Sequence, residues 1–159
     1  YPVFGLCGEI GEVAQVVTNK LSQTIDLSHE CGDVLWYVAA ICSDLGVDMG
    51  GVAGYETFEQ FGYSTKLTEY VDIDDVMIEL FIAAGIVSEA TKKTIRDSNG
   101  VVTTERLKVI RVALRRIMIA LAEICRRYEI IFSHVAQGNL DKLAARAVKG
   151  TISGSGSNR

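Results

Sequence analysis

Pro2 is the single proline of this 159-residue chain, so no long apolar run beyond it is kept out of a helix by a ring without an N–H. Histidine is almost as scarce. His29 and His134 are the two in the chain, and neither follows a glutamate by three positions, which excludes a ferritin-like di-iron set built on Glu-x-x-His pairs. The four cysteines, Cys7, Cys31, Cys42 and Cys125, contain no Cys-x-x-Cys. Set within apolar helical patterns, they read as small buried hydrophobes of a reducing cytosol rather than as disulfides or redox centres. There is no block of lysine and arginine, and the net charge is −4, which argues against a nucleic-acid partner. The basic positions of 106–127 recur at mostly four- and five-residue spacing and are expected to form the polar side of a long helix. No uncharged apolar run approaches the ~20 residues of a membrane span, so no membrane partner and a cytoplasmic location are expected. No signal peptide is recognisable; the chain opens on Tyr1 rather than Met, which leaves room for a further N-terminal segment.

What is present is helix. Apolar residues make up 48% of the chain, enough for one domain with a substantial core. Leu6, Ile10, Val13, Val17 and Leu21 form a three- and four-spaced stripe, which predicts a first helix from about Leu6 to Leu21. Gly8 and Gly11 lie inside it, each costing roughly 1 kcal/mol against alanine, and suggest a close approach by a helix or ligand. A second helix, capped by Asp26 or Ser28, runs to about Leu45 and stops at Gly46; it is expected to be the central, most buried one. A shorter helix from Met49 to about Phe61 follows, then a linker over Tyr63–Asp74. Asp72 caps a helix of about Ile73–Arg96, Asp97–Gly100 turns, and Thr103 opens a helix to about Ile131. A last helix near Ser133–Val148 precedes a Gly/Ser-rich tail, 151–159, expected to be mobile without a ligand.

The chemistry gathers on the first two helices. Glu9-x-x-Glu12 and Glu30-x-x-Asp33 each place two acids on one helical face, roughly 4.5 Å apart along the axis. The intervening loop is short, so the helices are antiparallel neighbours and four carboxylates face one spot. In a partly buried seam they need a cation, and an all-oxygen set favours Mg²⁺ or Mn²⁺. Lys142 and Arg146, four apart, share a face with Asn139 and can reach one anion. Lys20, one turn beyond the first acids, and Arg159 in the tail are further phosphate candidates. Trp36 and Tyr37, one turn beyond Asp33, are placed to stack on a base or bond a phosphate, with core packing as the competing reading.

Gly5-Leu-x-Gly-Glu-x-Gly-Glu12, Glu30-x-Gly-Asp33 and Asn139-x-x-Lys-Leu-x-x-Arg146-x-x-x-Gly150 together resemble the MazG-like, all-α nucleoside triphosphate pyrophosphohydrolases. The ending from Gly154 to Arg159 is similar to that family's Gly-rich tail, except that Ser157 stands where an Asp is common. The resemblance implies Mg²⁺-dependent hydrolysis of a (d)NTP to (d)NMP and pyrophosphate, as nucleotide-pool house-cleaning. In it Glu9, Glu12, Glu30 and Asp33 hold the metal, and Glu9 or Glu12 orients the attacking water. Asn139, Lys142 and Arg146 would contact the nucleotide.

An internal repeat runs beneath these motifs. Gly11–Val16 aligns with Gly85–Ala90, and Trp36–Val47 with Ile119–Ile130. In that register the four acids become Ala83, Ile86, Ala113 and Arg116, while the Asn139/Lys142/Arg146 segment meets Glu56–Glu59. Each half lacks what the other keeps. The expected fold is therefore an all-α single domain, 1–159, whose four-helix-bundle core is formed by two tandem helical repeats, 1–62 and 72–150, as dimeric dUTPases do. A homodimer is expected, with a monomer as the alternative. A non-enzymatic helical interaction protein and a phosphoribosyl-ATP pyrophosphohydrolase are the competing functions, and base and sugar stay open.

Overall fold

The computed structural model describes residues 1–19, 24–54 and 72–149. Among these residues there are six helices and no strand: α1 (Pro2–Thr18), α2 (Thr24–Asp44), α3 (Met49–Ala53), α4 (Ile73–Ser98), α5 (Thr104–Arg127) and α6 (Phe132–Lys149). They form an all-α bundle of the expected MazG-like type. Helices α1 and α2 pack as one hairpin and α4 and α5 as another. The hairpins meet through α1 against α4 and α2 across α5, while α3 rests on α5 and α6 rests on α2.

Helix ends follow local chemistry. The first helix starts earlier than its apolar stripe, because Pro2 in its first turn has the φ a helix needs and no N–H to leave unpaired. Leu6, Ile10 and Val13 are fully buried along it, whereas Leu21 lies outside the described residues. Helix α2 begins at Thr24, so neither Asp26 nor Ser28 caps it; Asp26 instead sits in the first turn, where its charge suits the helix dipole. Its end is as expected. Gly46 takes φ 63°, its N–H donates to Ser43 O at 3.0 Å, and the Val47 N–H donates to Cys42 O at 2.9 Å.

Beyond it, Asp48 caps α3 by accepting from the Gly51 N–H at 2.6 Å, and Gly54 at φ 77° ends that helix; the rest of the span expected to Phe61, and the expected linker from Tyr63 up to residue 71, lie outside the described residues. Asp72 caps α4 by accepting from the Asp75 N–H at 3.0 Å, and Thr103 caps α5 by accepting from the Arg106 N–H at 3.3 Å. Helix α5 ends at Arg127, short of Ile131. Glu129 adopts φ 57° and its N–H donates to Arg126 O at 3.3 Å, while the Ile130 N–H donates to Cys125 O at 2.8 Å.

The most buried helix is α5, not α2: every residue from Ala120 to Cys125 is buried, Glu123 included. Helix α2 instead keeps Asp33, Trp36 and Tyr37 on a side that the bundle does not close. Glu123 is 1% exposed and accepts from Arg126 at 2.7 and 2.8 Å and from Arg127 at 2.7 Å. The Arg126 hydrogen bonds, more than the other contacts, hold its carboxyl below the ordinary range.

Two other α5 arginines also work as side-of-helix ties, Arg116 to Glu79 at 2.5 and 2.9 Å and Arg106 to Ser98 at 2.5 Å. All four cysteines are free. Cys31, Cys42 and Cys125 are buried as expected, but Cys7 is exposed because it falls off the Leu6–Ile10–Val13 stripe, with Sγ 3.3 Å from Ser88 Oγ. No helix among the described residues is long and apolar enough to cross a membrane.

Candidate metal centre

Burial of Ile10 on α1 and of Cys31 and Val34 on α2 fixes which faces of the hairpin look inward. Glu9, Glu30 and Asp33 consequently converge, each offering one carboxylate oxygen, all within 4.8 Å of one another. Glu30 is 9% exposed, and its Oε2 has no hydrogen-bond partner among the described residues. Burial pushes both glutamates up to about 7, and neighbouring acids add to it: Asp33 and Glu12 for Glu9, Glu12 and Asp33 for Glu30. Glu12 is exposed and stands at the rim. Three of the four expected acids thus share the spot, and the fourth acts on it through its charge. The glycines nearby have different roles. A Cβ on Gly8 or Gly11 would meet nothing within 4 Å, so no described part of the chain makes the close approach expected there.

Gly32 brings in the second component. A Cβ there would lie 3.1 Å from the Asn139 Cβ and 3.3 Å from the Val135 carbonyl oxygen, so its absence lets α6 lie close on α2. At that separation the Asn139 amide, 7% exposed, donates to Asp33 Oδ1 at 2.6 Å. The Lys142 ammonium donates to both Asp33 oxygens, at 2.6 Å to Oδ2. Arg146 follows one turn along the same helix and is half-buried. Two of the three residues expected at an anion therefore rest on one of the acids.

An aromatic edge borders the acids. The Tyr37 ring lies over Gly5, where a Cβ would come within 2.1 Å of it. Its hydroxyl is 3.4 Å from that of Tyr1, and hydrogen bonding there, then burial, pushes the Tyr37 phenol up. Trp36 meets Tyr37 edge-on at 4.7 Å and is 40% exposed, so it is not a core residue. Tyr1 was not a sequence candidate: a residue ahead of the first helix carries no periodicity to place it. Lys20, Glu56–Glu59, Gly150 and the tail with Arg159 lie outside the described residues.

Oxygen-only donors, with one buried oxygen unpaired, fit a hard divalent cation. The positions that the expected repeat register would equate with these acids do not: Ala83 and Ala113 are buried and Arg116 is paired with Glu79. A separate groove of about 420 Å³ on that hairpin, with Ile82, Ile86 and Val109 in its lining, is mainly apolar and lies apart from the three acids.

Residues 3–57, which contain all four acids of the two motifs, match the MazG nucleotide pyrophosphohydrolase domain. The Gene 37 protein of Mycobacterium phage L5 is 34% identical over 94 residues, a span covering 55% of this chain and 82% of that protein. No solved structure matches the chain. Sequence match and helical architecture agree, and the chain belongs to the MazG nucleotide pyrophosphohydrolase domain family.

Proposed function

We propose that the chain hydrolyses a nucleoside triphosphate to the monophosphate and pyrophosphate, with Mg²⁺ or Mn²⁺ held by Glu9, Glu30 and Asp33. The observation that carries this reading is the convergence of the three carboxylates around the unpaired, buried Glu30 Oε2. When bound, the cation would polarise the phosphate and ease deprotonation of the attacking water. Glu12, exposed and outside the trio, is free to orient that water as a base. Lys142 and Arg146 would meet the phosphates, and Trp36 and Tyr37 border the place where a base would lie. A panel of (d)NTPs with Mg²⁺, scored for products, tests the reading: monophosphate plus pyrophosphate is expected, and diphosphate plus orthophosphate would overturn it.

The site is composite in this reading, formed by two tandem repeats, 1–62 and 72–150. Two observations support the repeat. The helix stops at Cys42/Ser43/Gly46/Val47 and Cys125/Arg126/Glu129/Ile130 use the same pair of hydrogen bonds at positions the sequence register equates. The packing is also reciprocal, since α3, which follows α2, rests on α5, and α6, which follows α5, rests on α2. The first half would supply the acids and the second half Asn139, Lys142 and Arg146.

A further inference from the structure

We propose that Lys142 is a built-in competitor for the cation at Asp33, released when a nucleotide's phosphates take its charge; this rests on the metal-site reading above. A carboxylate offers about four lone-pair sites. Three bonds already converge on Asp33: Asn139 and Lys142 to Oδ1, and Lys142 to Oδ2 at 2.6 Å. The side chains of Lys142 and Asp33 are 18% and 23% exposed, so water screens the contact only in part. Mg²⁺ sits about 2.0–2.1 Å from its oxygen ligands. A dication that close to Asp33 would stand a few ångströms from an ammonium bridging both oxygens, and the two would repel strongly. Cation and lysine therefore exclude each other at this carboxylate.

The lysine has somewhere else to go. Its stem is flexible, and Arg146 lies one turn further along the same face of α6. Phosphates arriving at that face would draw Lys142 away and leave Asp33 to the metal. Asn139, neutral, can keep its bond to Oδ1 and hold the carboxylate's orientation throughout. Metal and nucleotide then tighten each other's binding by more than their direct contact alone gives, and by linkage the effect is reciprocal.

Calorimetric titration of the whole chain with Mn²⁺, with and without a non-hydrolysable triphosphate analogue, tests this. Lys142→Met and Lys142→Gln should bind Mn²⁺ alone roughly 5- to 50-fold more tightly than wild type, and gain less from the analogue. In wild type, acetic anhydride labelling of Lys142 should rise when Mn²⁺ is added and fall again with the analogue. Unchanged or weaker Mn²⁺ affinity in the lysine variants, or labelling indifferent to Mn²⁺, overturns the exchange. Asp33→Asn separates the two readings. If it loses Mn²⁺ binding while the lysine variants match wild type, only the exchange fails; if it binds as wild type does, the metal site falls and the exchange with it.

Discussion

Glu30 puts a carboxylate where water barely reaches, and this governs how the chain responds to pH. Its value and that of Glu9 rise from an ordinary 4.5 to about 7 on folding, led by burial. Between those values the folded state holds protons the unfolded state has lost, so metal-free stability falls as pH rises through the window. Glu123 acts in the opposite sense. Its depressed value contributes stability that is present above the ordinary carboxylate range and is lost as pH falls through the folded value. Melting temperature of the metal-free chain should therefore fall from pH 5 to pH 8, and Mg²⁺ should restore it most at the alkaline end. Glu30→Gln should raise the metal-free melting temperature at pH 8 while abolishing turnover and the Mg²⁺ response; a lower melting temperature would mean that the charge is not strained. Gly32→Ala should cost roughly 1–3 kcal/mol in urea unfolding by pressing α6 off α2, and should weaken nucleotide binding. The paired acids were legible because three-residue spacing puts them on one helical face. That Asn139 and Lys142 settle on Asp33 was not, because it depends on how closely two helices distant in sequence approach over Gly32.

Helix stops show at the level of elements what a single sequence reveals and what it hides. Gly46, Asp72 and Thr103 were readable, since each residue type has a recognised preference for its capping position. The end of α5 was missed by four residues because its left-handed position is filled by Glu129, which signals nothing in sequence. Placing a Cβ residue at φ 57° is unfavourable, so Glu129→Gly should stabilise the chain by about 0.5–1 kcal/mol. The midpoint of urea unfolding should rise with its slope unchanged; no shift would indicate that the glutamate makes a compensating contact. The burial of α5 over α2 was also hidden. Both helices are apolar, but α2 gives one side to chemistry, and periodicity does not distinguish a face awaiting a partner from a face awaiting a ligand.

Taken as a whole, the molecule joins one acidic half to one basic segment, and the tandem reading sets a stoichiometry. Ala83, Ile86, Ala113 and Arg116 offer no second acid set, so calorimetry with the non-hydrolysable analogue and Mg²⁺ should find one nucleotide per chain; two would refute the composite site. Lys142 and Asp33 are separated by 109 positions, which bears on how the protein is made. A ribosome adding about 5–20 residues per second takes roughly 5–20 s to travel between them. Throughout that interval the nascent acids lack the ammonium that later pairs with Asp33. Until α6, the last described helix to emerge, docks there, a seam formed early would have only dissolved cations and protons held on Glu9 and Glu30 to offset its charge.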